Sequence, residues 1–519
     1  MSDSSRFARL HSQFSIAMLL LLALALRLLL WSQPLHQLAN DEVEYVTVAR
    51  DLLAGRGWQF YERYHWLRAP LYPLFLAGSL WLSGGDPSPG LPSISLGLAR
   101  TLHLAALPNI ALSVATVYLS YRLTLALFGR HRPAALLAAL FSAVLWTFAT
   151  FASLYMSETL FTFLFTAGLL CLVGQKAQTA DGRRRIGLAI GAGLLFGMAS
   201  LTRSISLVFL PVIALWLFAR PMTNDKRRRA IWSIIVCRSA APILFLLSAA
   251  LVIAPWTIRN YQAYGRVIPV ETGLSYNLWA FNEPRESQEE IFHTLENISN
   301  PAERSDYATA KGLARLREDP AILARKLWPG WIYLWRVKAI EDRFLQESYY
   351  SDVDLPLFTA ALLFDDLLFL LITLAGIAGL ARCRTQVKRR KVSPKALLQQ
   401  LVALFQQPKS LLISWLVYAV TTMLLTHAEM RYRHFLFPVL IPYAAWVLIR
   451  KRGVRSQEPA DRSRSRASHG RSSIVNRQSL PRLLIIALLW ILITGVWIST
   501  YPREWANQHF MRGWHALWS

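Results

Sequence analysis

The sequence predicts an all-α protein that crosses a membrane many times. Hydrophobic residues fill 54% of its 519 positions, and apolar runs of spanning length recur from end to end. A helix needs roughly 20 apolar residues to cross a bilayer. About eleven runs are candidates, near 14–31, 98–121, 134–151, 157–174, 186–202, 204–219, 232–254, 358–381, 410–427, 434–450 and 483–500. The second observation is where the charge lies. The net +25 is concentrated in the N-terminal tail and five connections, 122–132, 176–185, 220–229, 382–409 and 450–482, which hold 32 Lys and Arg against five acids. The rest of the chain is close to neutral. This is the positive-inside pattern, and it assigns those segments to the cytoplasm. The third observation is what is missing. There is no Gly-rich nucleotide loop, no HExxH or CxxC spacing and no obvious internal repeat.

Taken in order, the first run reads as a span and not as a cleaved signal peptide. Arg27 interrupts it, no clear small-residue cleavage site follows, and ten further runs come after it. The stretch "QLANDEVEYVTVARDLLAGRG" (37–57) then leaves the membrane carrying Asp41, Glu42 and Glu44. From Tyr45 onward, Val46, Ala49, Leu52 and Leu53 recur at helical spacing, with Glu44, Thr47, Arg50 and Asp51 elsewhere. This predicts an amphipathic helix lying on the membrane and ended by Gly55 or Gly57. Asp41 with Glu44 three residues on also resembles a capping box. A carboxylate held at a helix start is equally well placed to accept a proton, so both readings stand. The segment 69–83, "APLYPLFLAGSLWLS", is too short to span and has Pro70 and Pro73 near its start, so it is expected to be re-entrant or interfacial. That choice puts every basic connection inside, with the N-terminus cytoplasmic and the C-terminus outside.

This topology collects Asp41, Glu42, Arg68, Arg100, Glu158, Arg203, Arg259, Glu429, Arg431 and Arg433 on the outer face. Charges at helix ends in a membrane bundle are costly and mark pathways or sites. Arg27 or Arg100 alone would be expected to snorkel; the group together suggests a pocket for an anion. Asp365 and Asp366 fall within a span and have no evident role. Cys171, Cys237 and Cys383 lie in or beside cytoplasmic halves, which offers no extracytoplasmic disulfide. The tract "RKRGVRSQEPADRSRSRASHGRSS" reads as a solvated cytoplasmic loop, so no nucleic-acid partner is expected. The organisation expected is a transmembrane module over 1–254, an extracytoplasmic loop over 255–357 with a helical middle at "SDYATAKGLARLREDPAILARKLW", further spans over 358–500, and a short outer tail over 501–519. A loop as long as 255–357 is usually functional, here as a lid or acceptor platform.

Several stretches together resemble one family. "NDEVEYVTVARDLLAGRGW" resembles the first-loop Asp-Glu motif of GT-C membrane glycosyltransferases, in the branch of protein O-mannosyltransferases and lipid A aminoarabinose transferases. "HWLRAPLYPLFLA" is similar to their Lys-Pro-Pro-Leu-Tyr segment, "SLYMSETLFTFLF" to the second acidic joint, and "GMASLTRSISLVFLP" to the Leu-Thr-Lys/Arg joint. "APWTIRNYQAYGRVIPVETGLSYNLWAFN", "REDPAILARKLWPGWIYLW" and "EMRYRHFLFPVLIP" come next in the same order, over residues 14–450. The chain departs from the pattern at Arg68-Ala69-Pro70 and at Glu158, where some relatives carry Asp. It lacks the inserted domain of the eukaryotic O-mannosyltransferases, and its tail is too short for a separate outer domain.

The resemblance implies a GT-C fold and transfer of one sugar, with inversion, from a polyprenyl-phosphate donor to an acceptor hydroxyl or phosphate. The site would be extracytoplasmic, on the inner membrane of a bacterium. Partners are then the lipid-linked donor, membrane lipid and an acceptor that is a protein, lipid or glycan. By motif match Asp41 is the candidate base and Glu42 its neighbour. Arg68, Arg203, Arg259 and Arg431 are candidates for the leaving phosphate. Glu158 is a candidate to orient an arginine or bind a sugar hydroxyl, or is a purely structural ion pair. Tyr45, Tyr72, Trp256 and Tyr432 are candidates to stack on sugar or lipid, or belong to an interfacial aromatic belt. His65 and His427 could join Glu42 or Glu429 at a divalent metal, a weak signal, and the branch resembled does not clearly require one. A transporter or flippase of a lipid-linked or anionic substrate is the alternative. It would place charges at mid-bilayer in two related halves, whereas these gather on one face.

Overall fold

A computed structural model describes residues 3–32, 38, 41–84, 96–129, 131–174, 182–219, 231–336, 355–383, 402–450 and 480–505. The basic tracts 176–181, 220–229 and 451–479, most of 382–409 and the tail after 505 lie outside the described residues. The described residues are helical throughout, with no strand among them. In chain order the helices are α1 (Asp3–Trp31), α2 (Asp41–Leu53), α3 (Gln59–Arg63), α4 (Leu71–Leu82), α5 (Leu96–Ala105), α6 (Leu107–Leu127), α7 (Arg132–Val144), α8 (Trp146–Ser153), α9 (Glu158–Gly174) and α10 (Gly182–Thr202). They continue as α11 (Leu210–Ala219), α12 (Ile231–Tyr264), α13 (Gly273–Ala280), α14 (Gln288–Glu296), α15 (Pro301–Glu318), α16 (Ala321–Trp335), α17 (Leu355–Arg382), α18 (Pro408–Leu425), α19 (Phe437–Ile449) and α20 (Leu480–Trp505).

Every apolar run of the sequence falls on a helix, and the protein is an integral membrane protein. Among the described residues six helices are long and apolar enough to span, or seven if α7 and α8, bent by 50°, form one broken span. Length and composition of these helices do not by themselves confirm the count of about eleven. Shorter apolar helices of 10–17 residues among the described residues include α4, α9 and α19. At 1.5 Å per residue these are shorter than the roughly 30 Å hydrocarbon layer. The helix α12 also continues past the expected boundary at 254, through Pro255, to Tyr264.

The bundle is held by close helix pairs. α10 lies so near α12 that a Cβ added at Gly193 would stand 2.2 Å from the Phe245 carbonyl oxygen, and one at Gly197 2.9 Å from that of Ala249. The Gly193–Gly197 spacing is the small-residue pattern that lets membrane helices approach to backbone contact. We expect Gly193→Ala to lower the unfolding free energy by about 1–3 kcal/mol through overpacking, read as a lowered unfolding midpoint in detergent.

The first loop folds onto this bundle. Gly55 (φ 73°) and Gly57 (φ 69°) end α2 with left-handed residues. The polar side of this helix is not open to solvent: Asp41, Glu42 and Glu44 are buried along with Tyr45, Val46, Val48 and Ala49. It packs against α4, and the polar face is consumed by ion pairs. The segment 255–336 is pinned on top. Thr272 donates its backbone N–H to the Leu67 carbonyl and accepts that of Leu67 on its hydroxyl, both at 2.9 Å. Arg304 of α15 donates to the Tyr64 and Glu62 carbonyls. His65 stacks on Phe292 at 3.9 Å, and Trp66 meets Tyr276 at 4.4 Å. The predicted helical middle is present as α15 and α16, divided at Asp319–Pro320. In "WPGWIYLW", Trp328 is exposed, while Trp335 is buried against Phe369.

Two charged side chains inside the bundle have clear roles. Arg27 does not snorkel; it is fully buried and donates to the Ser113 hydroxyl at 2.8 Å, to the Ala23 and Ala143 carbonyls at 3.0 Å and to that of Ser142 at 3.3 Å. Asp365 of α17 accepts the backbone N–H groups of Trp146 and Thr147, at 2.7 and 3.3 Å. Arg100, by contrast, is exposed.

Candidate active site

Four separate pieces of chain bring the site together. The first loop supplies two residue groups: α2 delivers Asp41 and Glu44 from its first turn, one helical turn apart and so on the same face, and the extended stretch before α4 delivers Arg68. The start of α9 delivers Glu158, preceded by Ser157. Arg203 sits in extended backbone (φ −152°, ψ 126°) between α10 and a short 3₁₀ turn. The 3₁₀ turn Met430–Phe435 before α19 delivers Arg431 and Tyr432.

Asp41 lies at the centre. Its Oδ1 receives Arg68 Nη2 at 3.1 Å and its Oδ2 receives Arg431 Nη1. Arg68 continues to Glu44, which also accepts the Tyr64 hydroxyl. Arg431 continues to Glu429 and stands 3.9 Å from Glu158. Glu158, fully buried, accepts Arg203 Nη2 at 2.7 Å, while Arg203 Nε donates to Ser157 Oγ at 2.8 Å. The Arg68 guanidinium lies over Trp66 (4.8 Å) and Tyr45 (5.6 Å); Tyr432 lies under both Arg203 (5.5 Å) and Arg431 (5.7 Å). Each guanidinium thus has an aromatic face on one side and carboxylates at its edge, an arrangement that suits arginine's planar fork.

The electrostatics follow from burial and partners. Burial pushes the Glu44 carboxyl above its usual range, with Arg68 opposing the shift. Burial acts the same way on Glu429, but Arg431 and the His427 hydrogen bond (2.8 Å) outweigh it and hold Glu429 at about 2. Arg68 and Arg431 are raised well above the ordinary arginine value: burial works against the charge, but the surrounding carboxylates prevail. His65 is held at about 3 by burial and by Arg68 and Arg304, so its 3.5 Å approach to Glu296 is made by a neutral ring.

Of the residues singled out by sequence, Asp41, Arg68, Glu158, Arg203, Arg431, Tyr45 and Tyr432 come together. Glu42 does not face the arginines; fully buried, it accepts the Tyr155 backbone N–H at 2.9 Å and so ties α2 to the 154–158 joint. Tyr72 sits behind Tyr45, edge-on at 4.8 Å. Arg259 lies apart, paired with Glu62 at 3.0 Å and stacked over Trp256, whose indole N–H is given to the Val270 carbonyl. His65 and His427 are not brought to a common point. Among the described residues no group of three or more His, Cys, Asp or Glu side chains could hold a metal ion. Glu44, Tyr64 and Ser157 are the members that sequence reasoning did not assign to the site. Glu44 was legible in principle from its i, i+3 spacing to Asp41.

Residues 17–266, which carry α2, Arg68, Glu158 and Arg203, match the family model of dolichyl-phosphate-mannose-protein mannosyltransferases. That match takes in just under half of the chain, which is thus similar to this family of glycosyltransferases. Among solved structures, the chain is similar to the oligosaccharyltransferase of Archaeoglobus fulgidus tethered to an acceptor peptide, at 13% identity and a TM-score of 0.45 over 95% of this chain and 55% of that one. It is also similar to ArnT of Cupriavidus metallidurans in the apo state, at 14% identity and a TM-score of 0.35 over 82% and 76%. ArnT bound to undecaprenyl phosphate gives 13% and 0.33 over 82% and 77%. The chain thus spans about half the length of the archaeal enzyme. Comparison with curated proteins gives no match.

Proposed function

We propose that the protein is an inverting glycosyltransferase that moves one sugar from a polyprenyl-phosphate carrier to an acceptor hydroxyl or phosphate, at a site on the extracytoplasmic side of the membrane. The observation that carries this reading is Asp41 clasped between Arg68 and Arg431, with Arg203 joined to Arg431 through Glu158. The family whose model matches 17–266 is named for a lipid-phosphate sugar donor.

The chemistry divides between these groups. The acceptor oxygen attacks the anomeric carbon from the face opposite the phosphate, and the carbon–oxygen bond to the phosphate breaks with its electron pair. The phosphate gains negative charge, which guanidiniums fixed beforehand stabilise. Asp41 takes the acceptor's proton, a contribution of roughly 10²–10⁴-fold. The arginine pairs give this an order. With Arg68 and Arg431 on both of its oxygens, the Asp41 charge is fully countered; a donor phosphate competes for those forks and releases the carboxylate as it binds. Tyr45 and Tyr432, beside the arginines, are placed to cover the sugar. The segment above, tied to the first loop through Thr272 and Arg304, serves as an acceptor platform and not a freely swinging lid. The basic tracts would then face the cytoplasm.

The test is transfer of radiolabelled sugar from polyprenyl-phosphate donors in proteoliposomes. Removing the Arg68 fork in Arg68→Ala should cut transfer about 10²-fold through donor use, while Arg68→Lys, which keeps the charge and loses the fork, should fall between it and wild type. Absence of transfer from every donor tried by the wild type would overturn the reading.

A further inference from the structure

We propose that Arg27, Asn109 and Asp365 are positioning residues that clamp the eight-residue helix α8, and that this clamp sets the place of the Tyr155–Glu158 joint in the site. The inference rests on the proposed transfer reaction for its functional consequence, though not for its structural claim.

The break between α7 and α8 comes at Leu145, and a broken helix in a membrane leaves carbonyls on one side and N–H groups on the other without water to satisfy them. Both sides are met by charged side chains from distant helices. Arg27 of α1 takes the last carbonyls of α7, Ala143 at 3.0 Å and Ser142 at 3.3 Å. Asp365 of α17 takes the first N–H groups of α8, Trp146 at 2.7 Å and Thr147 at 3.3 Å, and its second oxygen accepts the Thr147 hydroxyl at 2.6 Å. A negative group at a helix N-terminus and a positive one at a C-terminus are each favoured by the aligned peptide dipoles. The far end of α8 is held as well. Asn109 of α6 donates its side-chain amide to the carbonyls of Phe151 (3.1 Å), Ala152 (3.2 Å) and Leu154 (3.2 Å).

Beyond α8 the chain enters the site. Leu154 leads to Tyr155, whose N–H holds Glu42, then to Ser157, which receives Arg203, and to Glu158, the carboxylate between Arg203 and Arg431. The 50° bend is therefore the feature that aims this joint at α2. A straight helix through 132–153 would carry the joint elsewhere. The same contacts explain why ionisable side chains persist in these spans: they are caps, engaged with backbone, and not members of an ion path.

The decisive comparison is Asp365→Asn with Asp365→Ala in the full-length protein in nanodiscs. Asparagine keeps an oxygen for the Trp146 N–H; alanine keeps nothing. Two readouts are taken: hydrogen exchange of the 146–160 backbone, which needs no activity, and maximal transfer rate. We expect Asp365→Ala to lose protection over 146–160, with the α10 and α12 peptides unchanged, and to transfer about tenfold more slowly or worse, since small misplacements of reacting groups cost of this order. Asp365→Asn should restore most of both. Thr147→Val, a milder cut, should lose part of the protection, and it keeps the comparison informative if the alanine variant fails to fold. Unchanged protection in Thr147→Val together with Asp365→Ala would overturn the clamp. Asn behaving as badly as Ala would also overturn it, by showing that the charge itself is needed, as in a proton path. If the wild type transfers no sugar, the glycosyltransferase reading falls, and the exchange data still decide the clamp.

Discussion

Asp41→Asn is expected to abolish sugar transfer, by about 10²–10⁴-fold, in a protein that remains folded. The amide keeps the shape and one acceptor oxygen, so Arg68 or Arg431 can still be engaged, but it cannot take a proton. The measurement is single-turnover transfer with saturating lipid-linked donor, alongside the unfolding midpoint. A folded, inactive variant that still binds donor places the loss in the chemical step. Full activity would return Asp41 to the role of helix start and ion-pair partner, and the base would have to be sought at Glu158 or Glu429, the remaining carboxylates around Arg431.

Glu158→Leu should have the largest effect on stability. Glu158 is fully buried, and it is the carboxylate that Arg203 faces at 2.7 Å. Taking away one partner leaves a buried guanidinium uncompensated, which costs about 3–5 kcal/mol; the Ser157 hydroxyl on Arg203 Nε should keep the loss near the lower end. Adding Arg203→Met should recover part of it, since removing both charges avoids the unpaired one. Denaturant unfolding in mixed micelles of the two single variants and the double variant measures the coupling. A polyprenyl phosphate should stabilise Glu158→Leu more than wild type, because the freed Arg203 has no competing anion. A double variant no more stable than Glu158→Leu alone would show that the pair is not what the buried carboxylate supports.

Much of the site was legible because its residues are costly where they stand. Arg203, Glu158 and Arg431 are charges at the ends of apolar segments, and that expense is visible in one dimension. Asp41 stood out as an acid at a helix start directly after a span. Other features were hidden for a physical reason. The neighbouring Glu42 differs from Asp41 by one position, about 100° around a helix, and only the packing of α2 shows that Glu42 turns to the Tyr155 amide while Asp41 turns to the arginines. Arg259 carries the same charge as Arg203, yet Glu62 from the first loop and Tyr264 on its own helix hold it away from the cluster. Glu44 was read only as a capping-box partner off the apolar side, because the periodicity of α2 says which residues share a side, not what covers that side.

The sequence by itself determined the class of the molecule, since apolar runs of that length and number have no stable home outside a bilayer, and backbone inside one must be helical. It also determined where the unusual charges fall along the chain. Only the tertiary structure decided which of them meet. Arg431 reaches Asp41 across 390 positions of sequence, and Asp365 reaches Trp146 across 219. No local pattern encodes such pairings, because an ion pair depends on distance in space, and that distance is set by how the helices pack, as where Gly193 and Gly197 of α10 meet α12 and Gly376 and Gly379 of α17 meet α19.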